Sequence, residues 1–259
     1  MTSRPLLSLI LIAPLALFLI ALFYTPLALL AYRAFWSHEG LDLTAPIEVL
    51  TNPTYISILL FSCEVALITT FCTFLIAYPV ALYVSLYSRG FERVALIMLL
   101  VTPFWIDVLL RTWSLKSLLY LIGIREGYLA MIIGMIYDYL PFMFIPLAIS
   151  LMRISESVIE AAKTLGAKPH QVLMKVIVPN STSGIVVGCL LVFLMSYTEV
   201  VIPPLLGGVV GTTVGVAIYR LILEADRWAE GAVLALLVTA LGIFVAAATW
   251  KLSERTRAL

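Results

Sequence analysis

Six long apolar stretches constrain this chain more than any other feature of its sequence. They cover Leu6–Ala31, Tyr55–Leu86, Val94–Leu110, Tyr128–Met152, Gly184–Pro203 and Ala229–Trp250. A helix that spans a bilayer needs about 20 apolar residues, with a range of about 17–25. Lipid-facing backbone must satisfy itself internally, and the stretches lack the alternation of a membrane barrel strand. The sequence therefore predicts an all-α, polytopic membrane bundle of six transmembrane helices, in one domain over residues 1–259.

The composition excludes several classes of protein. Apolar residues make up 63% of the chain and charged residues 12%, against about 45–50% and about 25% in soluble domains. A soluble enzyme, a disordered regulator and a nucleic-acid-binding domain are excluded. The 3 cysteines and 2 histidines show no spacing typical of a metal site or a disulfide framework. We expect no catalytic residue, no metal and no nucleic-acid partner.

Basic residues indicate the orientation. With the N-terminus inside, ten of the 16 Lys and Arg residues fall on the inner side and six on the outer side. Cytoplasmic connections carry the excess of Lys and Arg. Both termini are therefore predicted to be cytoplasmic.

The longest inner connection, Arg153–Asn180, has its own helical pattern. Ser155 is a plausible N-cap, Gly166 can end a first short helix, and Pro169 suits the first turn of a second. Pro179 is expected to close that second helix before the next span. By itself, this pattern is equally compatible with a helical hairpin lying on the membrane surface.

The spacing within this loop carries a resemblance. Glu160-Ala161-Ala162 is followed after three residues by Gly166, and after nine more by Val176-Ile177-Val178-Pro179. This pattern resembles the EAA loop of ABC-importer permeases, whose final segment is I-x-L-P. Val176 and Val178 keep the apolar character of that segment but not its residue identities.

Other segments narrow the resemblance. They are Pro103-Phe104-Trp105 with Arg111, Tyr137-Asp138-Tyr139-Leu140-Pro141-Phe142 with Pro146, and Leu206-Gly207-Gly208. Over roughly residues 55–250 the chain is similar to the B-type permease subunits of spermidine/putrescine importers and their opine-transporting relatives. The resemblance implies a type I ABC importer permease in the bacterial cytoplasmic (inner) membrane.

The resemblance also implies partners. Residues 153–180 would form a coupling helix that docks on an ABC ATPase dimer. Its coupling residues would be Glu160, Ala161, Ala162, Gly166 and Pro179. The chain has no G-x-x-x-x-G-K-[ST] phosphate loop, so ATP and Mg would bind the partner ATPase and this chain would hold no cofactor. A second permease subunit, commonly a different chain, would complete the pathway within the lipid, and an extracytoplasmic binding protein would dock on the outer loops Leu41–Thr54 and Leu206–Arg227.

Four carboxylates fall inside apolar stretches, all in the outer half of their predicted spans, and no Lys or Arg lies deep in any span. Ionisable groups there tend to face a bundle interior or a watery cavity. Aromatic faces nearby attract ammonium groups. We expect a negative vestibule for a cationic small-molecule substrate. Its residues would be Glu64, Asp107, Asp138, Glu199, Trp105, Trp113 and Tyr137.

Several alternatives stay open at this stage. Asp107 and Arg111 are four residues apart and could simply pair on one helix face. The aromatic residues could form an ordinary interfacial belt. Gly184 and Gly188 form a G-x-x-x-G pattern that suits packing within the chain or against a second permease. A secondary transporter that uses the four acids for ion-coupled uptake is the alternative function.

Overall fold

The computed structural model describes residues 4–37 and 40–257 of the chain. A small antiparallel hairpin joins β1 (Trp36–Ser37) to β2 (Gly40–Leu41), and the remaining elements are helical. The α-helices are α1 (Arg4–Leu19), α2 (Thr25–Phe35), α3 (Thr44–Thr51), α4 (Pro53–Leu82), α5 (Gly90–Val101), α6 (Val108–Leu121), α7 (Tyr128–Leu151), α8 (Glu156–Thr164), α9 (Pro169–Val172), α10 (Val178–Tyr197), α11 (Val214–Tyr219) and α12 (Trp228–Arg257). Short 3₁₀ or π segments join several of them, at Ile20–Tyr24, Tyr83–Tyr87, Thr102–Trp105, Leu173–Ile177, Pro203–Gly207, Gly208–Val210 and Arg220–Glu224.

Within the described ranges, 5 continuous helices are long and apolar enough to cross a membrane. They are Ile12–Phe35, Pro53–Tyr87, Tyr128–Leu151, Pro169–Tyr197 and Trp228–Thr249. Two further pairs pass the same test but are sharply bent, which raises the total to as many as 7. The predicted six spans fall within this range.

The third predicted span, Val94–Leu110, is not one continuous helix. Gly90–Trp105 and Val108–Leu121 meet at an angle of 102°. Ile106 and Asp107 between them are extended, with ψ values of 137° and 140°. Apolarity continues through this break, and for that reason hydropathy alone did not reveal it.

A second bend lies where the sequence analysis placed an outer loop. The pair Pro203–Val210 and Val214–Glu224 is bent by 96°. The range 206–227, predicted as a docking loop, is therefore largely helical.

The chain divides into two compact units. The first combines Met1–Ile56 with Ile218–Ala240. In it, Arg227 forms ion pairs with Glu48 at 2.8 Å and Glu230 at 2.7 Å, and these carboxylates raise the pKa of its guanidinium. Nearby, Thr44 donates to Asp42 from its hydroxyl at 2.6 Å and its N–H at 2.9 Å, which lowers the pKa of that carboxyl. The single-domain organisation over 1–259 stays a prediction.

The second unit combines Ser57–Ala217 with Leu241–Leu259, and α7 forms its core. Residues spaced by four along α7 share one helix face. Six side chains at this spacing are fully buried: Met131, Met135, Tyr139, Met143, Leu147 and Leu151. The stripe makes α7 the helix around which the unit packs.

α10 lies against α7 through its two glycines. A Cβ atom on Gly184 would lie 2.5 Å from Ser150 Cβ and 2.6 Å from the Pro146 carbonyl oxygen. One on Gly188 would lie 2.8 Å from Met143 Sδ. The G-x-x-x-G pattern therefore serves packing within the chain, one of the two alternatives that the sequence left open.

Candidate functional site

The loop between α7 and α10 begins with a capped helix. The Ser155 hydroxyl accepts a hydrogen bond from the N–H of Ser157, and α8 ends at Thr164, two residues before Gly166, whose φ is +82°. Gly166 N–H donates to the Lys163 carbonyl at 2.9 Å and Ala167 N–H to the Ala162 carbonyl at 3.1 Å. These two bonds form a Schellman motif, which requires the left-handed conformation that glycine adopts without strain. The predicted N-cap and glycine turn are both present.

The second half of the loop differs from the prediction. Pro169 is the first residue of α9, as expected, but Pro179 does not close that helix. One continuous helix runs over Pro169–Tyr197. A π turn accommodates the proline, since the N–H of Val178 bonds to the carbonyl of Leu173 and shifts the register before Pro179. The expectation of a break at Pro179 was wrong.

The two sides of α8 differ in their surroundings. Ile159 and Ala162 are half-buried and pack against the core of the second unit. Leu165 is 88% exposed, and Glu160 and Ala161 are exposed beside it. The helix therefore anchors itself inward and leaves a mixed surface, a carboxylate next to small and apolar side chains, facing outward.

A cavity of about 590 Å³ lies between α8, α9 and α4. Tyr78 and Leu82 of α4, Glu160 of α8 and His170 of α9 contribute to its lining. At its edge Arg89 donates to Glu156 at 2.5 Å, in a pair that is well exposed to solvent. Glu156 thus has an internal partner, whereas the described residues offer Glu160 no ion pair.

Two of the four intramembrane acids are exposed. Asp107 caps α6, since its carboxylate accepts from the N–H of Leu109 at 2.9 Å. Glu64 accepts from the Tyr128 hydroxyl at 3.0 Å. Asp107 does not pair with Arg111, so the local ion pair considered as an alternative is absent from this structure.

Asp138, by contrast, is buried and paired with a cation. Arg111 forms an ion pair with it, and the two side chains are 7% and 9% exposed. Arg111 also donates to the Pro103 carbonyl at 3.0 Å, and its guanidinium lies 5.0 Å from the centre of the Phe104 ring and 5.9 Å from that of Tyr137. The expectation that no basic residue neutralises the four acids was therefore wrong for Asp138. The bend after Trp105 turns α6 back, and this brings Arg111 against α7.

Glu199 stabilises the turn that follows α10. Its Oε1 accepts the N–H groups of residues 200–202 at 3.1, 2.7 and 3.2 Å. Its Oε2 accepts from the hydroxyl of Tyr139, and its backbone carbonyl accepts from Thr213 at 2.8 Å. This carboxylate is half-buried and fully engaged within the chain.

The three aromatic residues predicted to line the pathway are all exposed. Trp105 is 84% exposed, Trp113 52% and Tyr137 41%. The ammonium of Lys116 lies 4.8 Å from the centre of the Trp113 ring and 2.7 Å from Glu126. In the described residues no group of three or more His, Cys, Asp or Glu side chains could hold a metal ion.

Comparison with known proteins identifies the chain. A family described as "Binding-protein-dependent transport system inner membrane component" matches residues 65–257. The chain belongs to this family. It is therefore an integral inner-membrane permease of the ABC-importer type, and the resemblance to ABC-importer permeases is confirmed.

Named relatives of this permease support its similarity to polyamine-type permeases. The spermidine/putrescine transport system permease protein PotB of Escherichia coli (strain K12) is 31% identical over 222 residues, which cover 79% of this chain and 80% of PotB. The similarity to polyamine-type permeases is thereby confirmed. The comparisons give no support to a secondary transporter.

Solved structures confirm the fold of the permease. A chain of a bacterial alginate ABC transporter in complex with an alginate-bound periplasmic protein matches with a TM-score of 0.78 and 15% identity, covering 98% of this chain and 96% of that chain. A chain of the inward-facing MetNI methionine ABC transporter matches with a TM-score of 0.63 and 18% identity, covering 80% and 99%. The fold is that of type I ABC importer permeases.

The ion pair between Arg111 and Asp138 of this permease was not predicted from the sequence. Arg111 was visible only as part of a family-like motif and as a local partner for Asp107. Nothing in the helical spacing links Arg111 of α6 to Asp138 of α7, because the bend between α5 and α6, which sets the direction of α6, does not appear in the hydropathy pattern.

Proposed function

We propose that this permease forms half of the pathway of an importer for polyamines or a related cationic or opine-like small solute. A separate ABC ATPase dimer binds ATP and Mg and drives transport, and a second permease subunit completes the pathway. The name of the relative PotB supports the substrate class. The exposed face of α8 supports the coupling, and it is the observation that carries the proposal.

The proposed coupling to the ATPase is based on the exposed surface of α8. Glu160 lines the cavity between α8, α9 and α4, Leu165 is 88% exposed, and Ala161 beside them allows close approach of a partner helix or groove. The Schellman turn at Gly166 fixes the angle to α9, and the helix continues without a break through Pro179 into the membrane. A push on α8 would be passed to α10 as rigid-body motion.

Reconstitution tests this coupling directly. The permease is assembled in liposomes with its ATPase, its second permease and the substrate-loaded binding protein, and ATP hydrolysis and uptake of radiolabelled spermidine, putrescine or an opine are measured. We expect the loaded binding protein to stimulate hydrolysis and Glu160→Leu to abolish the stimulation. Glu156→Leu, the same change one turn earlier at a residue already paired with Arg89, is the matched control and should retain most of it. Gradient-driven uptake by the permease alone would overturn the proposal.

The exposed acids and aromatic residues are the proposed substrate-facing groups. Glu64, Asp107, Trp105, Trp113 and Tyr137 are all exposed and offer carboxylates and aromatic faces to an ammonium group. Asp138 and Glu199 belong to the same predicted set but are held by partners within the chain.

Substitution of the exposed acids tests this lining. Asp107→Asn keeps the helix cap, because Asn is also a good N-cap residue. We expect Asp107→Asn and Glu64→Gln each to raise the KM for a cationic substrate by up to about fivefold, since an exposed charge pair is worth roughly 0.2–1 kcal/mol. Glu92→Gln, an exposed acid that accepts from the Tyr83 hydroxyl and lies outside the predicted pathway and docking ranges, is the control. Unchanged KM values in both variants would remove these acids from the pathway.

We further propose that both termini lie in the cytoplasm and that the binding protein docks on the opposite side of the membrane, at ranges 41–54 and 206–227. The excess of basic residues on the assigned inner side supports this orientation.

A further inference from the structure

Two adjacent residues of α7 contact two different bends. Successive residues of an α-helix point about 100° apart, because each turn contains about 3.6 residues. Asp138 therefore faces the bend between α5 and α6, whereas Tyr139 faces the turn that follows α10. One step of α7 thus contacts the first bend directly and, through Glu199 and its bond with Thr213, reaches the start of the far arm of the second bend.

The first contact crosses its bend. Arg111 lies after the bend, in α6, and donates to the carbonyl of Pro103, which lies before it, at 3.0 Å. The same guanidinium pairs with Asp138. Both charges are more than nine-tenths buried, so neither has water available to replace its partner. Arg111 therefore ties both arms of the bend to α7.

The second contact crosses the other interruption. Glu199 accepts three N–H groups of the turn at 200–202, while Thr213, at the start of the bent pair's far arm, donates to its carbonyl at 2.8 Å. Tyr139 donates to the remaining carboxylate oxygen. Breaking this bond would leave a half-buried carboxylate oxygen without its donor, which is costly.

We propose that Arg111, Asp138, Tyr139 and Glu199 form a clamp, the α7 clamp, that makes both bends move together with α7 when the transporter switches access. Its members are positioning residues, and Asp138 and Glu199 act through their partners instead of through substrate. Testing the clamp by transport measurements rests on the proposed function. The contacts that form the clamp do not depend on it.

Transport kinetics separate positioning from substrate contact. In the reconstituted complex, Asp138→Asn and Tyr139→Phe should lower stimulated ATP turnover roughly tenfold, within the usual range of coupling between sites, and leave the substrate KM unchanged. Tyr139→Phe removes only a hydroxyl and keeps the packing volume. Tyr128→Phe, which removes the hydroxyl that contacts the exposed Glu64, is the matched control and should behave as wild type. A raised KM with normal turnover, or wild-type behaviour of both clamp variants, would overturn the clamp.

A paired substitution gives a second criterion. If Asp138 acts through Arg111, the double variant Arg111→Gln with Asp138→Asn should lower turnover little further than Asp138→Asn alone, because either change already breaks the same contact. If Asp138 acts through substrate, the losses of the two single variants will multiply in the double variant. That second result contradicts the proposal.

Distance measurements make the test independent of the substrate. Spin labels on Cys substituted for the exposed Ile106 and Val210 report on the two bends, in a background with Cys63, Cys72 and Cys189 replaced. In the assembled complex we expect one narrow distance distribution that shifts on ATP binding, and a broad distribution in Tyr139→Phe. An unaltered distribution in that variant would overturn the clamp. A clamp-dependent distribution without polyamine-stimulated hydrolysis would instead overturn only the proposed substrate class.

Discussion

At the scale of single residues, burial distinguishes two ion pairs of similar chemistry. Arg89 and Glu156 are 74% and 65% exposed, and such surface pairs contribute about 0–1 kcal/mol. Arg111 and Asp138 are 7% and 9% exposed, and removing one partner of a buried pair costs about 3–5 kcal/mol. The first pair therefore contributes little to the position of α8, whereas the second fixes the path of the chain around its bend.

Gly166 offers a prediction at this scale. Its φ of +82° costs a residue with a side chain about 1–2 kcal/mol, although a Cβ atom there would meet nothing within 4 Å. We expect Gly166→Ala to distort the turn between α8 and α9 and to reduce stimulated ATP hydrolysis in the reconstituted complex.

Gly123 provides the control, because its φ is +85° and its surroundings are equally open. Gly123→Ala carries the same backbone cost outside the coupling loop, so stimulation should persist. Equal losses in the two variants would mean that general strain, and not the geometry of the loop, lowers activity.

At the scale of elements, the contact between α7 and α10 depends on small residues. Association of helices in lipid relies on close van der Waals packing, since lipid is as apolar as leucine. Gly184 lets α10 approach the backbone of α7 near Pro146, and Gly188 does the same at Met143. This contact connects the coupling loop, which continues into α10, with the helix that carries the clamp.

Gly184→Ala should therefore destabilise the permease. Its Cβ would lie within 2.6 Å of the Pro146 carbonyl oxygen, which belongs to the backbone and cannot rotate away. We expect a loss of about 1–3 kcal/mol, typical of overpacking, measured as a lower unfolding temperature in detergent. Gly242→Ala, where the nearest atom is Leu194 Cδ2 at 3.5 Å, should be neutral or slightly stabilising. A neutral Gly184→Ala would show that the helices can separate at no cost.

At the scale of the whole molecule, the predicted orientation of the chain across the membrane can be tested by cysteine labelling. Cys introduced at Ala161 in α8 and at Val209, which is 100% exposed, should react with a membrane-impermeant maleimide from opposite sides. Ala161→Cys should be labelled in inside-out vesicles and Val209→Cys in intact spheroplasts, with the native cysteines replaced. Labelling of both positions from one side would contradict the predicted topology.

Much of the architecture could be predicted from local patterns. Hydropathy located the membrane spans, and the spacing from Ser155 to Gly166 predicted α8 and its turn, because caps and glycine turns depend on neighbouring residues. The break near Asp107 and the continuity through Pro179 could not be predicted in this way. The break and the continuity both depend on which backbone N–H and carbonyl groups bond to each other. Hydropathy does not contain this information, because the residues on either side of both places are apolar.

The sequence by itself determined that this chain is a membrane permease of the ABC-importer type, since apolar length and loop spacing are local properties. Only the tertiary structure decided which acids are available. Glu64 and Asp107 remain exposed, whereas Asp138 and Glu199 are engaged by Arg111 and Tyr139. The physical reason is that a buried charge in lipid requires a partner, and the partner is brought into reach by a bend and by helix packing, not by nearness in sequence.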